Sequence, residues 1–279
     1  MAKLRAVDPV YRTALPDKTT VFLLTRYEDV AALLREERFT KNRRSALTPE
    51  QARNLPWIPS MFRPLERNML DLDPPDHTRL RTLVHKAFTP RLVEDLRARV
   101  QTVADELLEA VSLRGQMDVV NDYALPLPIT IITEILGVPT RDRHKFHKWT
   151  QAVVSLTSPS PTLRVLPVVW RFIRYLRHFL QGAATRSPQR LIGSANRDEN
   201  VFACPDELDL GREPNRHLSF GHGIHFCLGA PLARLEAQIA FKTLLRHMPH
   251  LRLNASPDSL RWQPSIMLRG LKALPVRFP

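Results

Sequence analysis

The chain has 279 residues and is 43% hydrophobic, which is enough apolar material for a real core and excludes global disorder. Two cysteines are too few for a disulfide framework and point to a reducing, cytoplasmic setting or to no redox constraint at all; the basic N-terminus is followed by no apolar run, and no stretch nears the ~18 apolar residues of a membrane span. A formal net charge of +13 reads either as a solvated basic surface or as a face that attracts an acidic partner, but the zinc-finger spacing, RNA-recognition motif and lysine tract of a nucleic-acid binder are missing.

In chain order, Thr19 to Thr25 is rich in β-branched and aromatic residues and predicts a short strand. A short helix with Val30, Leu33 and Leu34 on one side follows. Residues 40–65 are basic and broken by proline, which predicts a long loop. At DPPDHTRLRTLVHKAF, Asp73 is a candidate cap for a helix with Pro74 and Pro75 in its first turn, and His77 and Arg81, four apart, share one face. Leu92, Leu96, Val100, Val103, Leu107 and Val111 recur at spacings of three and four and predict one long amphipathic helix, ended by Gly115. PLPITIITEILGVP predicts a largely buried helix stopped by Gly137 and Pro139. Residues 141–181 read as two helical pieces, and the stretch after Arg190 as turn-rich and irregular. Leu228, Leu232, Leu235 and Ile239 mark a last helical stripe, and Leu251 to Phe278 alternates short strands with turns. The fold class is mainly α with small β elements, in a single domain spanning 1–279.

The stretch HLSFGHGIHFCLGAPLARLEAQIAF, His217 to Phe241, gathers three glycines, three histidines and one of the two cysteines ahead of that last helix. A thiol at a helix N-terminus is favoured as thiolate by the helix dipole and free N–H groups. Gly221, Gly223 and Gly229 let backbone approach a sulfur or a flat ligand closely. Such a thiolate suits the single axial position of a haem iron. Taken alone, a cysteine near a helix is more often a small buried core residue. Zinc held by His222, His225 and Cys227 lacks a common spacing, and a nucleophilic role lacks a placed base. Cys204 reads as packing.

FGHGIHFCLGAPLAR resembles the haem-binding loop of cytochromes P450, of the soluble bacterial type, with Phe220, Gly223, Cys227 and Gly229 at the motif's fixed positions. ANRDENVFACPDELDLGREPNRHLSFG resembles the meander before that loop, LDPPDHTRLRTLVHKAFTPR the C-helix region, TRYEDVAALLREERF the B helix and PLPITIITEILGVP the E helix. Residues 1–190 thus resemble the N-terminal part, from the A and B helices to the G helix. Residues 191–279 resemble the meander, haem loop, L helix and C-terminal strands. The resemblance implies haem b as cofactor, with Cys227 as the iron ligand and His77, Arg81 and His225 holding haem propionates. It implies a monooxygenase that inserts one oxygen atom from O2 into a small hydrophobic substrate. Electrons would come from a ferredoxin or flavin-type partner, steered by Arg212, Arg216 and Arg234.

The chain also departs from the family. Between FIRYLRHFLQGAATRSPQ and GSANRD the family carries a large block with the I helix, whose acid–alcohol pair relays protons, and the K helix with its Glu-x-x-Arg. No catalytic pair is therefore assigned. Glu-x-x-Arg strings at Glu50, Glu94 and Glu213 lie in the wrong segments. The start of the chain resembles the tail of the A helix, as if shortened. The expectation is an incomplete cytochrome P450 fold with impaired activity; the alternative is a non-catalytic, P450-like auxiliary or interaction protein, or a gene remnant.

Overall fold

A computed structural model describes residues 1–14, 20–42, 69–86, 88–142, 190–263 and 269–279, with 47, 145–146, 149, 167–168 and 170–172 as shorter pieces. The chain forms two compact units, each assembled from separated stretches: residues 1–81 with 176–227 and 265–268, and residues 82–175 with 228–264 and 269–279. The fold is mainly α with small sheets, as the sequence predicts. The expected loop at 40–65 and the expected helices at 141–181 lie largely outside the described residues. No described helix is long and apolar enough to cross a membrane.

The first unit opens with helix α1, Ala2–Val7, and an antiparallel hairpin of β1, Val10–Ala14, and β2, Thr20–Leu24, with Val10 opposite Leu24. β2 is the strand the sequence predicts; β1 is a partner the sequence reading does not contain. Helix α2, Tyr27–Arg35, buries Val30 and Ala31 against Ala195 and Leu218. Its first N–H is capped across the chain, because Tyr27 N donates to the buried Asp198 carboxylate at 2.7 Å. Helix α3 is Asp76–His85. It starts after both prolines, and Asp73 is not its side-chain cap. That carboxylate instead accepts from Lys41 N at 2.8 Å and Asn42 N at 3.0 Å, so backbone from the preceding loop outcompetes the helix start.

In the second unit the single predicted amphipathic helix is two, α4, Pro90–Asp95, and α5, Arg97–Ser112. Thr89 caps α4 by accepting from Leu92 N at 3.3 Å, and the interruption at Leu96 shifts the apolar face. Val93 is buried while Leu92 stays 47% exposed. A π-helical turn, Val119–Ala124, leads into α6, Pro126–Ile135.

The stretch after Arg190 is not irregular throughout, since it begins with helix α7, Arg190–Ala195, in the first unit. There the buried Arg5 donates to the carbonyls of Ser194 and Arg197 and to Glu199, which ties α1 to the turn after α7. Helix α8, Ala230–His247, buries Leu232, Leu235 and Ile239 as the stripe predicts, in a second-unit core with Val100, Val103 and Leu108 of α5 and Ile131 of α6. Each such fully buried aliphatic side chain contributes about 1.5–3 kcal/mol. A small sheet, order β3-β5-β4, completes this unit: β3 is Gln116–Asp118, β4 Arg252–Leu253 and β5 Pro275–Arg277.

Candidate functional site: a haem-binding loop

The loop from His217 to Cys227 belongs to the first unit and closes on itself through backbone. Gly221 N donates to Leu218 O at 2.8 Å, Phe226 N to Gly223 O at 3.0 Å and Cys227 N to Phe220 O at 2.8 Å. The last bond brings Cys227 back to Phe220, whose ring lies edge-on to Phe226 at 6.5 Å. The thiol is exposed. Gly223 has φ +66, and a Cβ there would meet the carbonyl oxygen of Leu34 at 2.4 Å. Its small size serves the close seating of the loop on the last turn of α2. Beside it, Arg35 donates to His222 Nδ1 at 3.4 Å. Gly229 is the N-cap residue of α8, and its carbonyl accepts from Ala233 N at 2.9 Å.

His77 and His225 meet although 148 positions in the chain separate their motifs' residues; their rings lie 4.2 Å apart at 44°. His77 is only 2% exposed. All four ring nitrogens are buried and have no hydrogen-bond partner. Burial holds His77 below the usual histidine range, with help from the Arg81 charge and against Asp73. Burial, then His77 and Lys41, push His225 down to about 4, against the opposing charge of Asp73. Both rings are therefore neutral at pH 7, each with one N–H to give. Arg81 reaches the same place, donating from Nη2 to Phe226 O at 2.6 Å. The structure thus gathers His77, Arg81, Phe220, Gly223, His225 and Cys227 in one unit.

The residues weighed for zinc are not gathered. His222 faces Arg35 and His225 faces His77, and no group of three or more His, Cys, Asp or Glu among the described residues is arranged to hold a metal ion. Cys204 is not packed; it is exposed on a turn with φ +45. Arg212 does not present a free cation, since its side chain is 17% exposed and donates to Ala203 O at 2.7 Å. Arg216 and Arg234 are exposed. The Glu94 string forms a local pair with Arg97, exposed at the junction of α4 and α5. Lys41 escapes sequence reasoning, and Asp73 is reached there only as a candidate cap, because no motif links a loop lysine to a pre-helical aspartate.

The family model for cytochrome P450 matches residues 189–274. The polyketide biosynthesis cytochrome P450 PksS of Bacillus subtilis (strain 168) is 30% identical over 382 aligned positions, covering 99% of this chain and 94% of the relative. The cytochrome P450 monooxygenase PikC of Streptomyces venezuelae is 32% identical, covering 99% of this chain and 90% of the relative. Among solved structures, a myxobacterial cytochrome P450 in complex with myristic acid superposes with a TM-score of 0.86 at 30% identity, covering all of this chain and 95% of that one. The chain belongs to the cytochrome P450 family. An alignment of 382 positions against 279 residues also means that a substantial stretch of the PksS sequence has no counterpart here.

A cytochrome P450 uses haem b, bound through a cysteine thiolate, as its cofactor. The residues present fit that group. Two neutral, buried imidazoles with unused N–H groups and a neighbouring guanidinium form a donor set for carboxylates, and the exposed thiol lies two residues from His225.

Proposed function

We propose that the chain is a haem-thiolate monooxygenase in which Cys227 ligates the iron and His77, Arg81 and His225 hold the haem propionates. The observation that carries this is the contacting pair His77 and His225, whose four ring nitrogens are buried with no hydrogen-bond partner, in the same unit as the Cys227 loop. Leaving buried donors unmade costs about 1–3 kcal/mol each, a cost that anionic oxygens at this place would offset. Phe220, Gly223 and Gly229 shape the loop: Phe220 O fixes the Cys227 backbone, Gly223 permits the approach to α2, and Gly229 opens α8. When bound, the haem supplies the oxygen-activating chemistry, and the thiolate tunes it.

The substrate class is a hydrophobic small molecule, and the redox partner an acidic ferredoxin or flavoprotein drawn by the net charge of +13, in the cytoplasm. Arg216 is exposed, and reversing it to Glu is expected to weaken ferredoxin binding, most at low salt. Because the stretch expected to carry the acid–alcohol pair has no counterpart, oxygen activation is poorly coupled to substrate oxidation.

The test is the absorption spectrum of protein purified with haem, or reconstituted with hemin, then reduced and exposed to carbon monoxide. A red-shifted Soret band that Cys227→Ala abolishes is expected, with helix content unchanged. Protein that stays colourless after reconstitution overturns the enzyme reading and leaves the auxiliary or remnant alternative.

A further inference from the structure

We propose that Lys41 is a further binding residue for the carboxylates of the cofactor, positioned by Asp73. This rests on the haem reading above and extends it to a residue outside the motif. Asp73 is the hinge of the geometry. Its carboxylate gathers the 40–42 segment, accepting from Thr40 Oγ1, from Lys41 N at 2.8 Å and from Asn42 N at 3.0 Å. Its backbone carbonyl accepts from His77 N at 3.0 Å. One residue therefore fixes both the backbone of Lys41 and the first turn of α3, which carries His77, and the His77 ring lies 4.2 Å from that of His225.

The Lys41 side chain is half-buried and forms no ion pair among the described residues. Asp73 forms no ion pair with the Lys41 ammonium; its carboxylate is engaged by three donors from 40–42 and reaches Lys41 through the backbone N–H. Burial holds the ammonium below the usual lysine range, while Asp71 and Asp73 act against that, and its positive charge is felt at His225. The Asp73 bridge holds the Lys41 backbone to the turn that starts the His77 helix, and the ring nitrogens of His77 and His225 are buried without partners; a half-buried ammonium without an ion pair next to such a site is costly for a protein alone. It becomes favourable when an anion is shared between them. Porphyrin carboxylates are anions of that kind, and Lys41 adds a second full cation to Arg81.

The experiment titrates hemin and hemin dimethyl ester, whose carboxylates are masked, into haem-free wild-type protein, Lys41→Gln and Lys41→Arg, following the Soret band and tryptophan fluorescence. A charge-assisted hydrogen bond contributes enough to predict about a tenfold loss of hemin affinity for Lys41→Gln, with most of it restored in Lys41→Arg. The dimethyl ester binds wild type and Lys41→Gln equally, which also shows that the variant is folded. Equal hemin affinity in wild type and Lys41→Gln overturns the assignment. So does an equal loss for hemin and its ester, which would mark a structural role only. Wild-type protein that takes up neither compound overturns the haem reading itself and this inference with it.

Discussion

At Gly223 the constraint is doubled: φ is +66, and the Leu34 carbonyl oxygen lies 2.4 Å from where a Cβ would sit. Gly137 shares the positive φ, +69, but has open space. The two separate conformational cost from collision. Gly137→Ala is expected to cost about 1 kcal/mol, the left-handed penalty alone. Gly223→Ala is expected to cost about 3 kcal/mol, because backbone rather than a flexible side chain must give way. Urea unfolding of the two variants checks the order; equal losses would mean that the loop shifts freely off α2. The glycine requirement was legible in the sequence. What the glycine approaches was not, because Leu34 and Gly223 belong to distant segments that only the fold brings together.

At the level of elements, α8 carries a consequence for pH. Glu236 sits on it beside an apolar cavity of about 260 Å³ lined by Tyr123, Leu127, Ala233, Ala237, Ala240 and Phe241. Burial pushes its carboxyl up to about 7. Tyr123 does not offer its hydroxyl proton, which goes to Ala240 O at 2.9 Å. A folded-state pKa above the unfolded value of 4.5 means that the unfolded chain releases its proton first. The stabilisation from neutral Glu236 is therefore complete below pH 4.5 and is lost as pH rises through about 7. Glu236→Gln should remove that part of the profile, so the stability difference between variant and wild type grows from pH 4.5 to 7. Parallel denaturation curves at both pH values would refute it. The stripe of α8 was readable because its buried positions keep helical spacing over 18 residues. The break at Leu96 was not, since the apolar repeat runs straight through it and only the Thr89 cap and the packing of Val93 reveal the two pieces.

For the whole molecule, the functional expectation follows from the proposed reading that the unmatched stretch carries the proton relay. Supplied with electrons from a ferredoxin and its reductase, the protein is expected to release most reducing equivalents as hydrogen peroxide rather than as hydroxylated product. Reductant consumption measured against peroxide and product tests this; stoichiometric product would show that another group relays protons. Family membership and the cysteine loop were legible because the loop's chemistry is local: glycines, a phenylalanine and a cysteine at fixed spacing within ten residues. His77 and Arg81 were legible only through their likeness to a known segment, since their own pattern is that of any basic helix face. By itself, then, the sequence determined the helical texture, the loop and the family, all of which rest on spacing along the chain. Tertiary structure alone decided that His77 meets His225, that Asp73 ties Lys41 beside them rather than capping α3, that Asp198 caps α2 and that Arg212 is spent on Ala203. The reason is physical: hydrogen-bond partners distant in sequence are chosen by which donors and acceptors the packing leaves within about 3 Å of each other, and ring partners by which faces it brings into contact.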